Sequence, residues 1–287
     1  MKRIISLLLL FALSINFTGC FKSDTMEDIT IYTTIYPVEY ITEKLYGEYS
    51  TVKSIYPDGI ITSEYELTKK QVKDYSSADL FIFNGLNTEK DYVTKFFKYN
   101  KNIKIIDATS SMEILNRTEE LWLNPSNLLM HAQNIKTGFN EYVTNHYIKQ
   151  TIENNYEELK LEISKLDANI SLLKENATNN NLIVTDDLFL YLSKFGFNII
   201  SLDEDTATEK TYSTAKQLLL DGTCEYIISP VNEELTDNVN TIVKETEAEI
   251  LEFHTLTNIS ETERNNKKDY LSLMNDNIEL LKNELYK

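Results

Sequence analysis

The chain has 287 residues, 28 basic and 45 acidic side chains, and a formal net charge of −17. That balance argues against a nucleic-acid partner, because a phosphate backbone is held by Lys and Arg. Two cysteines leave no room for a disulfide framework or a cysteine-rich metal cage.

The N-terminus "MKRIISLLLLFALSINFTGC" places Lys2 and Arg3 before an apolar run from Ile4 to Leu13, then small residues before Cys20. This pattern reads as a secretory signal over 1–19 rather than as part of the fold. The run is too short to span a bilayer as a mature helix. "FTGC" resembles a bacterial lipobox, with Phe17 where Leu is common, which would make Cys20 the lipidated first residue. The alternative is a secreted protein with an incidental Cys20. Residues 20–28 read as a tether. With Cys20 acylated, Cys224 is alone; it precedes an apolar run and reads as a buried structural thiol.

Short β-rich runs then alternate with amphipathic stretches, which predicts an α/β fold with mainly parallel sheets. The first set is "ITIYTTIY" (29–36), "TVKSIY" (51–56), "LFIFN" (80–84) and "IKIID" (103–107). The second is "NLIVTD" (181–186), "FNIISL" (197–202), "EYIIS" (225–229) and "EILEFH" (249–254). Between Gly138 and Gly196 there is no other Gly and no Pro. There Ile148, Ile152, Tyr156, Leu159, Ile163, Leu166, Ile170 and Leu173 fall at steps of three and four, one face of a helix. A helix over 145–176 would be on the order of 45–50 Å long. It predicts a rigid spine between two lobes, with an oligomerisation coiled coil as the alternative. The expected layout is an N-terminal lobe over 29–144, a linking helix over 145–178 and a C-terminal lobe over 179–287. Ligands in open α/β sheets bind beyond the carboxyl ends of the strands, so two facing lobes define a cleft there.

The segments that follow the strands carry a resemblance. "TTIYPVEYITEKLYGE", "YPDGIITSEYELTKKQVKDYSSADLFIFNGLNTE", "LWLNPSNLLMHAQNI", "VTDDLFLYLSKFGF" and "DYLSLMNDNIELLKNEL" stand in this order. Together they resemble the zinc/manganese-binding solute receptors of bacterial metal ABC transporters over nearly all of the mature chain. The resemblance implies two lobes joined by a long helix, a cleft ligand and a lipid anchor. It also implies a permease and its ATPase as partners, and the extracytoplasmic face of the membrane as location. A monomer is expected; the Asn-, Ile-, Lys- and Tyr-rich composition suggests an AT-rich genome and, together with the lipobox, a Gram-positive cell surface.

The ligand positions are where the chain departs from the family. Matched to the family's motifs, its metal-binding histidines fall on Ser63, Glu120 and Asp186, and its carboxylates on Ser229 and near His254. Zinc prefers nitrogen and sulfur donors, whereas oxygen-rich sets suit manganese, magnesium or calcium. No cofactor is fixed by these residues; a divalent ion, zinc or manganese, is what the resemblance implies, at a degenerate site. Acids facing one cleft need a balancing charge: a metal cation, a protonated His254, or an amine-bearing solute. Asp186 is also well placed to cap the helix after it. Tyr65, Trp122 and Tyr191 are retained and would pack around the cleft. His131 and His146 read as structural or surface residues. The chain has no Gly-rich phosphate loop, Gly-x-Ser-x-Gly or His-Glu-x-x-His, so it is not expected to be an enzyme. The rival to a transport receptor is a surface adhesin or accessory binding module that keeps the fold.

Overall fold

The computed structural model describes residues 26–286; the expected signal segment and the lipidation site Cys20 lie outside them. Two four-stranded sheets, parallel throughout, form the two lobes. The first holds β1 (Ile29–Thr33), β2 (Ser50–Ser54), β3 (Leu80–Phe83) and β4 (Lys104–Asp107), in the order β2-β1-β3-β4. The second holds β5 (Asn181–Val184), β6 (Asn198–Ser201), β7 (Tyr226–Pro230) and β8 (Glu249–Phe253), in the order β6-β5-β7-β8. The two orders are the same motif repeated. Each sheet reverses direction of travel between its first and third strands, which leaves a crevice at their carboxyl ends. β3 and β5 are buried along nearly their whole length, as helices on both faces require.

In the first lobe α1 (Tyr36–Tyr46), α2 (Lys69–Tyr75), α3 (Lys90–Phe97), α4 (Glu120–Leu123) and α5 (Pro125–Tyr142) cover the sheet. Gly138 lets α5 lie against β4: a Cβ there would meet the Ile106 side chain at 2.6 Å. The linking helix is α6 (His146–Asn176), capped by the Asn145 side chain, which accepts from the backbone N–H of Tyr147 and Ile148. Its buried residues are the eight of the sequence stripe, Ile148 to Leu173. That stripe packs on α1 and α5 of the first lobe and on α10 (Tyr270–Leu285) of the second, so it is spent inside the chain rather than on a coiled-coil partner. The second lobe is completed by α7 (Glu209–Leu220), α8 (Asp237–Thr246) and α9 (Glu261–Asn265).

One hydrophobic core runs through the first lobe, the α6 stripe and the inner side of the second lobe. A smaller one lies under β5–β7 and holds the buried Cys224. The lobes are also joined directly: Tyr40 of α1 stacks on Tyr270 of α10, ring centroids 5.4 Å apart. Met26 departs from the expected tether. It is 1 % exposed, and its carbonyl accepts from the Tyr46 hydroxyl at 2.7 Å. A chain segment whose backbone and side chain are both used by the core is part of the body.

Candidate functional site

A cleft of about 780 Å³ opens between the lobes at the carboxyl ends of the strands. From the first lobe it is lined by 59–63, Arg117 and Glu119; from the second by Asp186, Leu188, Pro230–Glu233, His254, Thr255, 257–260 and Glu263. The strap 255–260 seals one side. Gly59 N–H donates to the Ile259 carbonyl at 2.8 Å, and the Asn258 amide donates to the carbonyls of Pro57 and Ile60.

Of the residues expected at the site, Ser63, Asp186 and His254 line the cleft. Ser63 lies on the 3₁₀ turn Thr62–Glu64 and is exposed. Asp186 caps the following segment, Asp187–Phe195, which is a 3₁₀ helix rather than an α-helix; its Oδ1 accepts from Leu188 N–H. His254 is engaged at both ring nitrogens: Nδ1 accepts from Leu256 N–H at 2.9 Å, and Nε2 sits 3.2 Å from Glu263 Oε1. Glu263 is itself fixed by Ser260, whose N–H and hydroxyl donate to it at 2.8 and 2.7 Å.

The other expected residues point elsewhere. Glu120 is 2 % exposed and folds back on its own loop, accepting from Leu115 N–H and the Asn116 amide. It opens the short helix α4, which turns its side chain inward and leaves the preceding Glu119 facing the cleft. Ser229 is buried and accepts from the Thr185 hydroxyl at 3.0 Å. Trp122 is 1 % exposed; its Nε1 donates to the Thr255 carbonyl at 2.8 Å, and its own carbonyl accepts from the Tyr270 hydroxyl. It therefore bolts the first lobe to the strap instead of walling the ligand space. Tyr191 is buried in the second lobe, and burial pushes its phenol well up. Tyr65 is half-buried, edge-on to Tyr56, and its hydroxyl accepts from Gln71.

The balancing charge that the acids require is Arg117, which sequence reasoning passed over. Its Nη2 donates to Asp203 Oδ2 at 2.7 Å and lies 3.6 Å from Asp205 Oδ2, while Nε is 3.5 Å from Asp186 Oδ1. Asp203 also accepts from the backbone N–H of Asp187 and Asp205. Burial pushes its carboxyl up, but Arg117 and the two backbone donors outweigh this and hold it below the ordinary carboxylate range. Hydrogen bonding to Asp203 raises the guanidinium further above its ordinary value. Asp186 goes the other way: burial raises it more than Leu188 N–H and Arg117 lower it. Burial also raises Glu119. Burial and the nearby Asp186 and Asp203 push Glu233 up to about 7.

These contacts decide whether a transition metal fits. Among the described residues no three His, Cys, Asp or Glu side chains converge as a metal-binding group. The imidazole is spent on Glu263 and Leu256, Glu120 is turned away, and a guanidinium already occupies the carboxylates. The residues do not fit the family's metal.

The fold has counterparts among known proteins. The family model for the zinc-uptake complex component A, periplasmic, matches residues 31–284. The chain belongs to this family. It is 28 % identical over 192 residues to the iron-binding protein YfeA of Yersinia pestis, a match that spans 63 % of this chain and 61 % of that protein, less than two thirds of its length. It is 27 % identical over 216 residues to the manganese ABC transporter substrate-binding lipoprotein PsaA of Streptococcus pneumoniae, covering 68 % of this chain and 69 % of that one. The Zn(II)-bound ZnuA-like domain of AdcA from Streptococcus pneumoniae superposes with a TM-score of 0.72 at 22 % identity, covering 91 % of this chain and all of that one. At that identity the likeness speaks for the fold. In this chain Arg117 and Asp186 line the cleft, with Asp203 and Asp205 beside them.

Proposed function

We propose that the protein is the solute-binding receptor of a metal-type ABC transporter. It would be held at the extracytoplasmic face of the membrane through Cys20 and would deliver its ligand to a permease and an ATPase. The observation that carries this reading is the cleft at the carboxyl ends of two identically ordered parallel sheets, in a chain matched by the family from 31 to 284. A cleft of this volume is in the range that takes a small molecule. Glu119, Asp186, Glu233 and the neighbouring Asp203 and Asp205 outnumber Arg117, so the lining favours a positively charged solute and disfavours anions. The ligand, on this reading, is an organic or complexed cation rather than a bare zinc or manganese ion.

The test is ATPase activity of the cognate permease complex in vesicles, with and without the receptor loaded from a cell extract of its own host. Stimulation by the loaded receptor supports the reading. A permease complex that is indifferent to the receptor contradicts it.

A further inference from the structure

We infer that Arg117 is the resident cation of the cleft, taking the lobe-bridging position a divalent ion would need and excluding such ions from it. The inference rests on the inter-lobe cleft being the ligand site. Arg117 comes from the first lobe, in the segment between β4 and α4, and all three of its acid partners come from the second. A single guanidinium therefore does mechanically what a shared metal would do: it draws carboxylates of one lobe to a fixed point on the other.

Three features make this a built contact rather than a passing surface pair. Asp203 is almost wholly buried, with 5 % side-chain exposure, and is aimed by two backbone N–H groups. The guanidinium does not lose its proton in proteins, so no ordinary pH frees the carboxylates for another cation. Finally, the chain uses Arg sparingly, three against 25 lysines, and both described arginines span the lobes. Arg264 of α9 reaches back to the first lobe, with Nε and Nη2 on Asp58 at 2.7 and 2.8 Å and Nη2 on Glu39 at 3.3 Å. Arg264 makes a two-point contact on Asp58, and Arg117 spreads its fork over three separate carboxylates; a single lysine ammonium reproduces neither arrangement.

A bare divalent ion would have to enter beside a fixed positive charge and compete for oxygens already hydrogen-bonded. Without Arg117, the three carboxylates drawn to its guanidinium, Asp186, Asp203 and Asp205, lose their counter-charge, and oxygen donors that close on an ion suit manganese better than zinc. Removing the arginine should therefore raise the affinity of these carboxylates for manganese above that of the wild type.

The experiment is calorimetric titration of manganese chloride and zinc chloride into chelator-stripped protein. Wild type, Arg117→Ala, Arg117→Gln and Arg117→Ala/Asp203→Asn are compared, each checked for folding by circular dichroism. The expected result is no saturable binding by the wild type. Manganese binding should be gained on the order of tenfold or more in whichever of the two arginine variants folds, and lost again in the double variant. Micromolar stoichiometric metal binding by the wild type overturns the inference, as does a folded arginine variant that gains none. A wild type that binds metal and still stimulates its permease defeats this inference alone. A permease that ignores the receptor defeats the receptor reading alone.

Discussion

The guanidinium of Arg117 in one lobe donates to the carboxylate of Asp203 in the other at 2.7 Å, 86 residues apart in the chain. Charge-assisted contacts to a buried acid are worth more than surface pairs, but Arg117 is 38 % exposed and solvent screens part of the gain. Arg117→Ala is expected to cost about 1–2 kcal/mol in urea unfolding. Asp203→Asn should cost about 2 kcal/mol, since it also withdraws charge from two backbone donors. The double variant should cost clearly less than the sum, because the two changes remove one contact. The Asp203 contribution has a defined pH window. A carboxyl lowered on folding stabilises fully above its unfolded value near pH 4 and fades as pH falls through the folded value.

His131 on α5 sets a second acid limb. It is fully buried, and neither ring nitrogen has a hydrogen-bond partner. Burial holds the imidazole down to about 4. Its folded value lies below the unfolded one near 6.5, so the unfolded chain takes up the proton first. The His131 contribution should be fully present above about pH 6.5 and fall by roughly 3 kcal/mol by about pH 4. In His131→Leu that part of the slope should vanish in denaturant titrations between pH 4 and 7.

Glu89 acts at the other end of the scale. It is buried beside the β1–β3 crevice, accepting from Asn84 N–H at 3.2 Å and the Asn87 amide at 3.0 Å. Burial pushes its carboxyl up to about 7, against hydrogen bonds from Thr34, Asn87 and Asn84 that pull it down. A group raised on folding gives its stability below the unfolded value near 4.3 and loses it as pH rises through 7. The Glu89 contribution should fall by up to roughly 3 kcal/mol between pH 4.5 and 8.5, opposing the His131 gain below pH 6.5, and a Glu89→Gln variant should lack most of that falling limb relative to wild type.

Trp122 gives a test of the bolt between lobe and strap. Trp122→Phe keeps most of the ring but leaves the Thr255 carbonyl without its indole donor. The expected loss is about 1–3 kcal/mol, read by far-ultraviolet circular dichroism in urea. Because the strap also carries cleft-lining residues, the variant should weaken solute binding without any direct contact to the ligand.

Much of the frame was legible in the sequence. Eight apolar runs and one uninterrupted three-four stripe are signals that each segment carries by itself, and all reappear as β1–β8 and the buried face of α6. The site was legible only in part. Asp186 and His254 sit at strand ends, where the topology brings them to the cleft. Glu120 and Glu119 differ by one position, and only the local turn into α4 decides which of them faces in. Arg117 was overlooked because it stands in a loop and its partners lie 69 to 88 residues downstream, beyond any local pattern. One signal was available: it is the lone Lys or Arg between Lys104 and Lys136, in a chain that otherwise chooses Lys.

The most direct measurement is the metal content of the wild-type protein purified without chelator, paired with its melting temperature before and after chelator treatment. Substoichiometric zinc and manganese and an unchanged melting temperature are the predicted result, since Arg117 already bridges the lobes. One equivalent of either metal, lost to chelator together with a fall in melting temperature, would contradict it.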